Sequence, residues 1–359
     1  RWHEACCKAV LLKGESLSQA VSANLYATES PPLAAALAAL ADLPAPEPVP
    51  AVSMNAEGRL LIVGAADVAL GWAERLAGQR EVTVLAPVAV DLPEEADFVV
   101  ESGSGLCLAG HLGAFVASWQ AADGVRQGTF DVVLDLSPQA LLNRVELPPG
   151  YVAPGRDPLD QALAVIDLLA FDGEFEKPRY VAVNERLCAH SRSQKAGCSN
   201  CIEVCATEAI VSAGDRIALD PYLCQGCGTC TTVCPSGALA FEYPRVVDLG
   251  VAIKVQLKAY RAAGGENPCL LFHSAEVGKK ELVALKRAGG KLPANVILVE
   301  TWSIDAVGLD LMLGAVALGA CQVALLGTGS HDLAPLHKQA GLAQRILNGL
   351  GYAGDYVRI

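Results

Sequence analysis

Hydrophobic positions along the chain fall into two recurring patterns. Leu60 to Val63, Val82 to Leu85 and Phe130 to Leu136 are short apolar runs that read as buried strands, and Asp67 to Ala77 has the spacing of a helix. Asp157 followed by Pro158 predicts a capped helix over 159 to 169, with Pro where its missing N–H costs nothing. The alternation returns after residue 245: helix 246 to 263, strand 269 to 272, helix 279 to 287, strand 296 to 299, helix 307 to 318, strand 323 to 326 and helix 333 to 350. Such alternation predicts parallel sheets in α/β units.

Other stretches break the pattern. Before residue 43 the chain is rich in Ala and Leu, with Pro31-Pro32 opening a helical run that ends near Asp42. Prolines at 44, 46, 48 and 50 forbid helix and mark a linker. Between Pro178 and Pro244 elements are short and turn residues frequent, so something besides a large core must hold that segment. The expected architecture is therefore α/β, α+β as a whole. Residues 1–52 form a helical arm and linker, 53–177 a Rossmann-like α/β domain, 178–245 an inserted turn-rich domain, and 246–359 a second Rossmann-like α/β domain.

Composition narrows the function. Of 359 residues, 52% are apolar and 18% charged, which excludes a disordered chain. A net charge of −12 repels phosphates, so nucleic acid is not an expected partner. The most membrane-like stretch, Leu311 to Gly327, is shorter than the ~20 residues of a span and contains Gln322, so it reads as a buried helix entering a buried strand. The first residues are neither an initiator Met nor a signal peptide, because Arg1, His3, Glu4 and Lys8 interrupt any apolar run; Arg1 suggests a trimmed or incompletely represented chain. Eight of the 13 cysteines crowd between 188 and 234, pointing to metal in a reducing, cytoplasmic compartment and not to a disulfide framework.

Cys224, Cys227, Cys230 and Cys234-Pro235 spell C-x2-C-x2-C-x3-C-P. Three thiolates at this spacing can turn towards one face of a cubane, with Gly226 and Gly228 permitting close backbone approach, while the fourth is carried off on a short helix. In two-cluster bacterial ferredoxins that fourth cysteine ligates the other cluster, so a second run is expected. Cys198, Cys201 and Cys205 supply its C-x2-C-x3-C end, but Lys195 stands where its first cysteine belongs, and the nearest upstream thiol is Cys188. The expected ligand sets are Cys188, Cys198, Cys201 and Cys234 for one [4Fe-4S] cluster, and Cys224, Cys227, Cys230 and Cys205 for the other.

Over roughly 65 residues this block resembles the two-cluster bacterial ferredoxin family. It departs from that family in the insertion after Cys188 and in Ala206, where proline is usual after the fourth cysteine. The insertion leaves a [3Fe-4S] cluster or a non-cysteine ligand open. The competing metal is zinc in two four-thiolate knuckles. The insertion carries His190, Arg192 and Lys195 without an acid, a candidate cationic docking patch.

Residues 308–327 are similar to the helix, Gly-Ala turn and strand of the delta subunit of methyl-viologen-reducing hydrogenases, with Gly327-Thr-Gly-Ser-His in place of that module's cysteine-bearing segment. The order of regions also resembles large cytosolic 4Fe-4S proteins that accompany formate dehydrogenases. These resemblances imply a non-catalytic electron-transfer subunit working with other subunits of an oxidoreductase complex. The alternatives are a self-contained enzyme with flavin or a nicotinamide nucleotide at the Gly64 turn, and a scaffold delivering clusters or sulfur. Gly64-Ala-Ala-Asp67 lacks G-x-G-x-x-G, so a plain strand-to-helix turn competes with nucleotide binding. Cys6-Cys7 read as ordinary thiols, Cys107, Cys269 and Cys321 as small core residues, and His111, His273 and His331 as structural histidines.

Overall fold

The computed structural model describes residues 30–88, 96–190, 197–328 and 333–359. The chain is a mixed α/β protein. After helix α1 (Pro31–Ala38) come β1 (Ala51–Ala56), β2 (Arg59–Val63), α2 (Ala66–Leu76), β3 (Glu81–Ala86) and β4 (Val99–Ser102). Next are β5 (Ser104–Ala109), β6 (Phe115–Ala121), β7 (Gly124–Phe130), β8 (Val132–Asp135) and β9 (Tyr151–Val152), then α3 (Pro158–Leu169) and β10 (Gly173–Pro178).

Strands β4-β3-β2-β8-β9 form a parallel sheet in that order. Its centre is continuous apolar sequence, Leu60 to Val63 against Val132 to Leu134, as expected where both faces are covered. The Asp157 carboxylate caps α3 by accepting from the N–H groups of Leu159 and Asp160. A second sheet, antiparallel β5-β6-β7, departs from the strand–helix alternation. Its signal was weak because β7 is mostly exposed and polar and β5 contains Gly105; only Phe115, Ala117 and Trp119 of β6 alternate inward.

The expected single strand 130 to 136 is broken at Asp131. Its fully buried carboxylate accepts from the N–H groups of Glu57 and Arg59 and pairs with the Arg59 guanidinium at 2.6 Å, so one residue ends β7, starts β8 and pins the β1–β2 turn.

β11 (Val181–Val183) pairs with β14 (Leu239–Phe241), and β12 (Ile210–Ser212) with β13 (Ile217–Leu219); between them lie the single-turn helices α4 (Asn200–Glu203) and α5 (Thr229–Thr232). The small core here includes Cys188, Cys201 and Cys230 among Ile210, Ile217, Leu239 and Phe241. Thereafter α6 (Val246–Ala262), β15 (Cys269–Ser274), α7 (Val277–Arg287), β16 (Val296–Thr301), the 3-10 turn η1 (Ile304–Ala306), α8 (Leu309–Ala317), β17 (Gln322–Leu325), α9 (Ala334–Gly349) and β18 (Val357–Arg358) build a parallel sheet ordered β16-β15-β17-β18.

Contacts distant in sequence tie these parts together. β1 pairs antiparallel with β10, joining the two ends of segment 51–178. α1 buries Ala36 in the core of the C-terminal sheet, and Glu47 meets Arg245 at 2.6 Å. The described part of the N-terminal arm thus packs on a partner some 200 positions later.

Replacing Asp131 with Ala would leave two backbone donors and the Arg59 guanidinium without their buried acceptor. Chemical denaturation of Asp131→Ala should show a loss of about 3 kcal/mol or more, the cost of removing one partner of a buried pair.

Candidate metal centre

Two runs of cysteine are folded around each other. The Cys201 thiol has Cys198, Cys188 and Cys234 as its electrostatic neighbours. Cys224 has Cys227 and Cys205; Cys230 has Cys227, Cys224 and Cys205, with Cys201 more weakly. Cys205 therefore stands with the later run and Cys234 with the earlier one. A small concavity lined by Cys188, Cys198, Cys201, Cys234, Ile217 and Leu239 opens among the first group. The exchange follows from α4 and α5, each of which starts near one group and carries its last cysteine toward the other.

Burial pushes the Cys201 and Cys224 thiols up to about 11, and Cys230 is also raised by burial. Burial pushes Cys234 up as well, but donors from the Leu239, Ser236 and Ala238 backbone and the Ser236 hydroxyl outweigh it, and its pKa falls. Hydroxyls also approach Cys205, from Thr207 at 3.6 Å, and Cys227, from Thr229 at 3.6 Å. Donors of this kind are laid out for sulfur that carries negative charge. Thiols crowded in apolar surroundings and supplied with donors fit a group that brings its own positive charge.

Among the described residues no three His, Cys, Asp or Glu side chains form a group placed to hold a single ion. A close run of three cysteines whose fourth is exchanged into the other group is an iron–sulfur ligand pattern, whereas zinc knuckles commonly take their four thiolates as two C-x2-C pairs.

Two glycines let the backbone close in. Gly226 has φ of +75° and a methyl group there would lie 2.6 Å from the Tyr180 ring; Gly228 has φ of +82° and its methyl would lie 2.5 Å from Cβ of Ala306. Ala306 belongs to η1, so the C-terminal half of the chain supplies a wall of the Cys224–Cys234 loop. Gln225 Nε2 donates to the Leu147 carbonyl at 2.9 Å, and Lys177 Nζ donates to the carbonyls of Tyr222 and Cys224. Lys177 and η1 lie outside the cysteine pattern. The one sign of Lys177 in sequence is a charged residue in a strand, which does not mark a site by itself.

Other candidates resolve differently. At the Gly64 turn a methyl group would lie 2.9 Å from Cβ of Leu136, so the glycine is explained by packing against the end of β8. Nothing there favours flavin or nucleotide. Cys107 is exposed on the edge strand β5 and Cys321 in the turn before β17, correcting their reading as core residues; Cys269 is buried. His190 is buried, bonded to the Cys198 carbonyl and the Ser212 hydroxyl at 2.8 Å each, so it braces the loop and does not join a cationic surface. Arg192 and Lys195 lie outside the described residues, as do Cys6, Cys7 and His331. His111 is half-buried and stacks on Tyr222 at 4.3 Å. Burial keeps His273 below the ordinary histidine value.

Residues 196–238 match the 4Fe-4S dicluster domain family. Hydrogenase-4 component A of Escherichia coli is 36% identical over 67 residues, 19% of this chain and 33% of that protein. Ferredoxin 7Fe of Hydrogenibacillus schlegelii is 39% identical over 44 residues, 12% of this chain and 56% of its own length. The chain thus spans between about a third and about half of the length of these relatives. Residues 196–238 are thus an iron–sulfur, ferredoxin-like domain, a kind of domain that suggests electron transfer. Among the described residues no helix is long and apolar enough to cross a membrane.

Gly228→Ala should disturb the loop through both its φ and the contact with Ala306. The purified variant is expected to lose up to about half of its iron, the share of one cubane of two, by colorimetric iron assay.

Proposed function

We propose that the chain relays single electrons through two [4Fe-4S] clusters as a subunit of a larger cytosolic oxidoreductase complex. Cys188, Cys198, Cys201 and Cys234 hold one cluster; Cys224, Cys227, Cys230 and Cys205 hold the other. The observation that carries the reading is the exchange of Cys205 and Cys234 between the runs. Clusters bound wholly by thiolates supply one-electron transfer without an open coordination site. The chain's own residues exclude water with Ile217, Leu239 and Phe241, hold the thiolates in two adjacent groups, and direct hydroxyl and backbone donors at the sulfurs.

In this reading 53–177 and 246–359 are Rossmann-like supports flanking the 178–245 ferredoxin unit, with 1–52 as arm and linker. Two parallel sheets, one on each side in sequence, support it. A redox partner is supported by the likeness to a protein named as a hydrogenase component. The proposal that the complex is formate dehydrogenase-linked rests on the order of regions along the chain. Anaerobic copurification from the native host tests it: a formate dehydrogenase subunit is expected, a hydrogenase subunit instead would reassign the complex, and absence of any redox partner would overturn the subunit reading.

Anaerobically purified protein should contain about eight iron and eight sulfide per chain, four of each per cubane. About seven iron with a [3Fe-4S] signal, in line with the name of the 7Fe relative, would remove Cys188 from the ligand set.

Single substitutions should cross between the runs. Cys234→Ala and Cys188→Ala are expected to abolish one electron paramagnetic resonance (EPR) signal, and Cys205→Ala the other. Loss of the same signal in Cys205→Ala and Cys188→Ala would refute the interleaved assignment.

A further inference from the structure

Lys177 is the buried residue of β10, 6% exposed and opposite Val52 of β1. A lysine at such depth is retained where its ammonium finds fixed acceptors. Here Nζ donates to the Tyr222 carbonyl at 2.6 Å and to the Cys224 carbonyl at 2.9 Å. Both carbonyls belong to the turn that delivers the first thiol of the 224–234 run. The ammonium is thereby fixed on the backbone of Cys224 itself.

A second charge faces the same run from the opposite direction in sequence. Asp305 is 7% exposed in η1, and its neighbour Ala306 abuts Gly228, the residue after Cys227. The Ala306 backbone nitrogen and Cα share in that contact, which holds Asp305 beside the loop that carries Cys227. At the other group, the concavity among Cys188, Cys198, Cys201 and Cys234 is lined otherwise, among the described residues, by small, apolar and hydroxyl residues and by no charged side chain. The two buried charges are therefore concentrated on one of the two cysteine groups, and both come from outside the motif.

Reduction adds one electron from a one-electron donor, breaks no bond, and leaves the cluster with its thiolates more negative. Inside a protein of low effective dielectric a fixed cation favours that product and a fixed anion opposes it. We propose that Lys177 raises and Asp305 lowers the reduction potential of the cluster at Cys224, Cys227, Cys230 and Cys205, leaving the other cluster's potential unchanged. The proposal rests on the two-cluster reading. Lys177 and Asp305 are positioning residues: they act through field and loop geometry and ligate nothing.

The test is a dithionite titration of the full chain under anaerobic conditions, followed by EPR, on wild type, Lys177→Gln, Lys177→Arg and Asp305→Asn. Glutamine keeps two N–H donors for the carbonyls and removes the charge. The signal that Cys205→Ala abolishes identifies the cluster. In Lys177→Gln its reduction equilibrium should fall about tenfold, or about 59 mV for a one-electron couple. Asp305→Asn should raise it by a similar factor, and Lys177→Arg should hold the wild-type value. The signal that Cys188→Ala abolishes should stay in place throughout.

Unchanged potentials in iron-replete variants, or equal movement of both signals, would overturn the proposal while leaving the two-cluster reading intact. Should Lys177→Gln lose iron, Asp305→Asn decides alone, and no upward shift there overturns it. Loss of iron from both variants would also overturn it, showing the charges to be structural. Wild type without two cluster signals would end both readings.

Discussion

Sulfur crowded into an interior where burial makes it costly to ionise is the constraint from which the middle of this structure follows. Cys188, Cys201 and Cys230 are buried among a few aliphatic residues, and thiols in each group face one another. Without a positively charged occupant such an arrangement loses hydration and gains little packing. The short paired strands β11–β14 and β12–β13 bury too little apolar surface to define this segment alone, as in small domains that depend on metal for their fold. The exchange of Cys205 and Cys234 then ties the two runs into one unit.

The flanking parts brace that unit at named points. Arg144 pairs with Glu208 at 3.0 Å, the Glu146 N–H donates to the Ala206 carbonyl, and Gln225 reaches the Leu147 carbonyl, so the segment before β9 grips both cysteine runs. From the C-terminal side Trp302 stacks on Tyr180 at 5.4 Å, while Tyr180 covers Gly226. The Ala206 site, where proline is usual in the ferredoxin family, meets this bracing directly: its carbonyl is held by a neighbour from outside the motif. A relay gains from such rigidity, because electron exchange is easiest where little must move around the changing charge.

Legibility in the sequence followed the strength of local pattern. Helices α2, α3, α6 and α9 matched their expected spans closely, since each has an apolar stripe and α3 has its Asp157-Pro158 start. The cysteine groups were legible because ligand spacing is a local property of the chain. The sheet β5-β6-β7 was not: its outer strands are short, exposed or glycine-containing, and their pairing is what defines them. Nor could Asp131 be seen to split a strand, since its reason is the backbone of Glu57 and Arg59 more than 70 positions earlier.

The same distinction separates the proposed cluster ligands from the charges proposed to tune a cluster. Ligands must sit at fixed spacings, so the 224–235 run announces itself. A tuning charge needs only to arrive nearby, and any strand or turn packed against the loop can bring one. Lys177 comes from β10, whose register is set by pairing with β1, and Asp305 from η1, whose position is set by the close approach of Ala306 to Gly228. The α/β parts on either side are thereby more than a casing: they determine which charges reach one cysteine group and not the other. Two cysteine groups built from near-repeats of one motif become inequivalent through the rest of the fold, and in the proposed relay that inequivalence would set one cluster's potential apart from the other's.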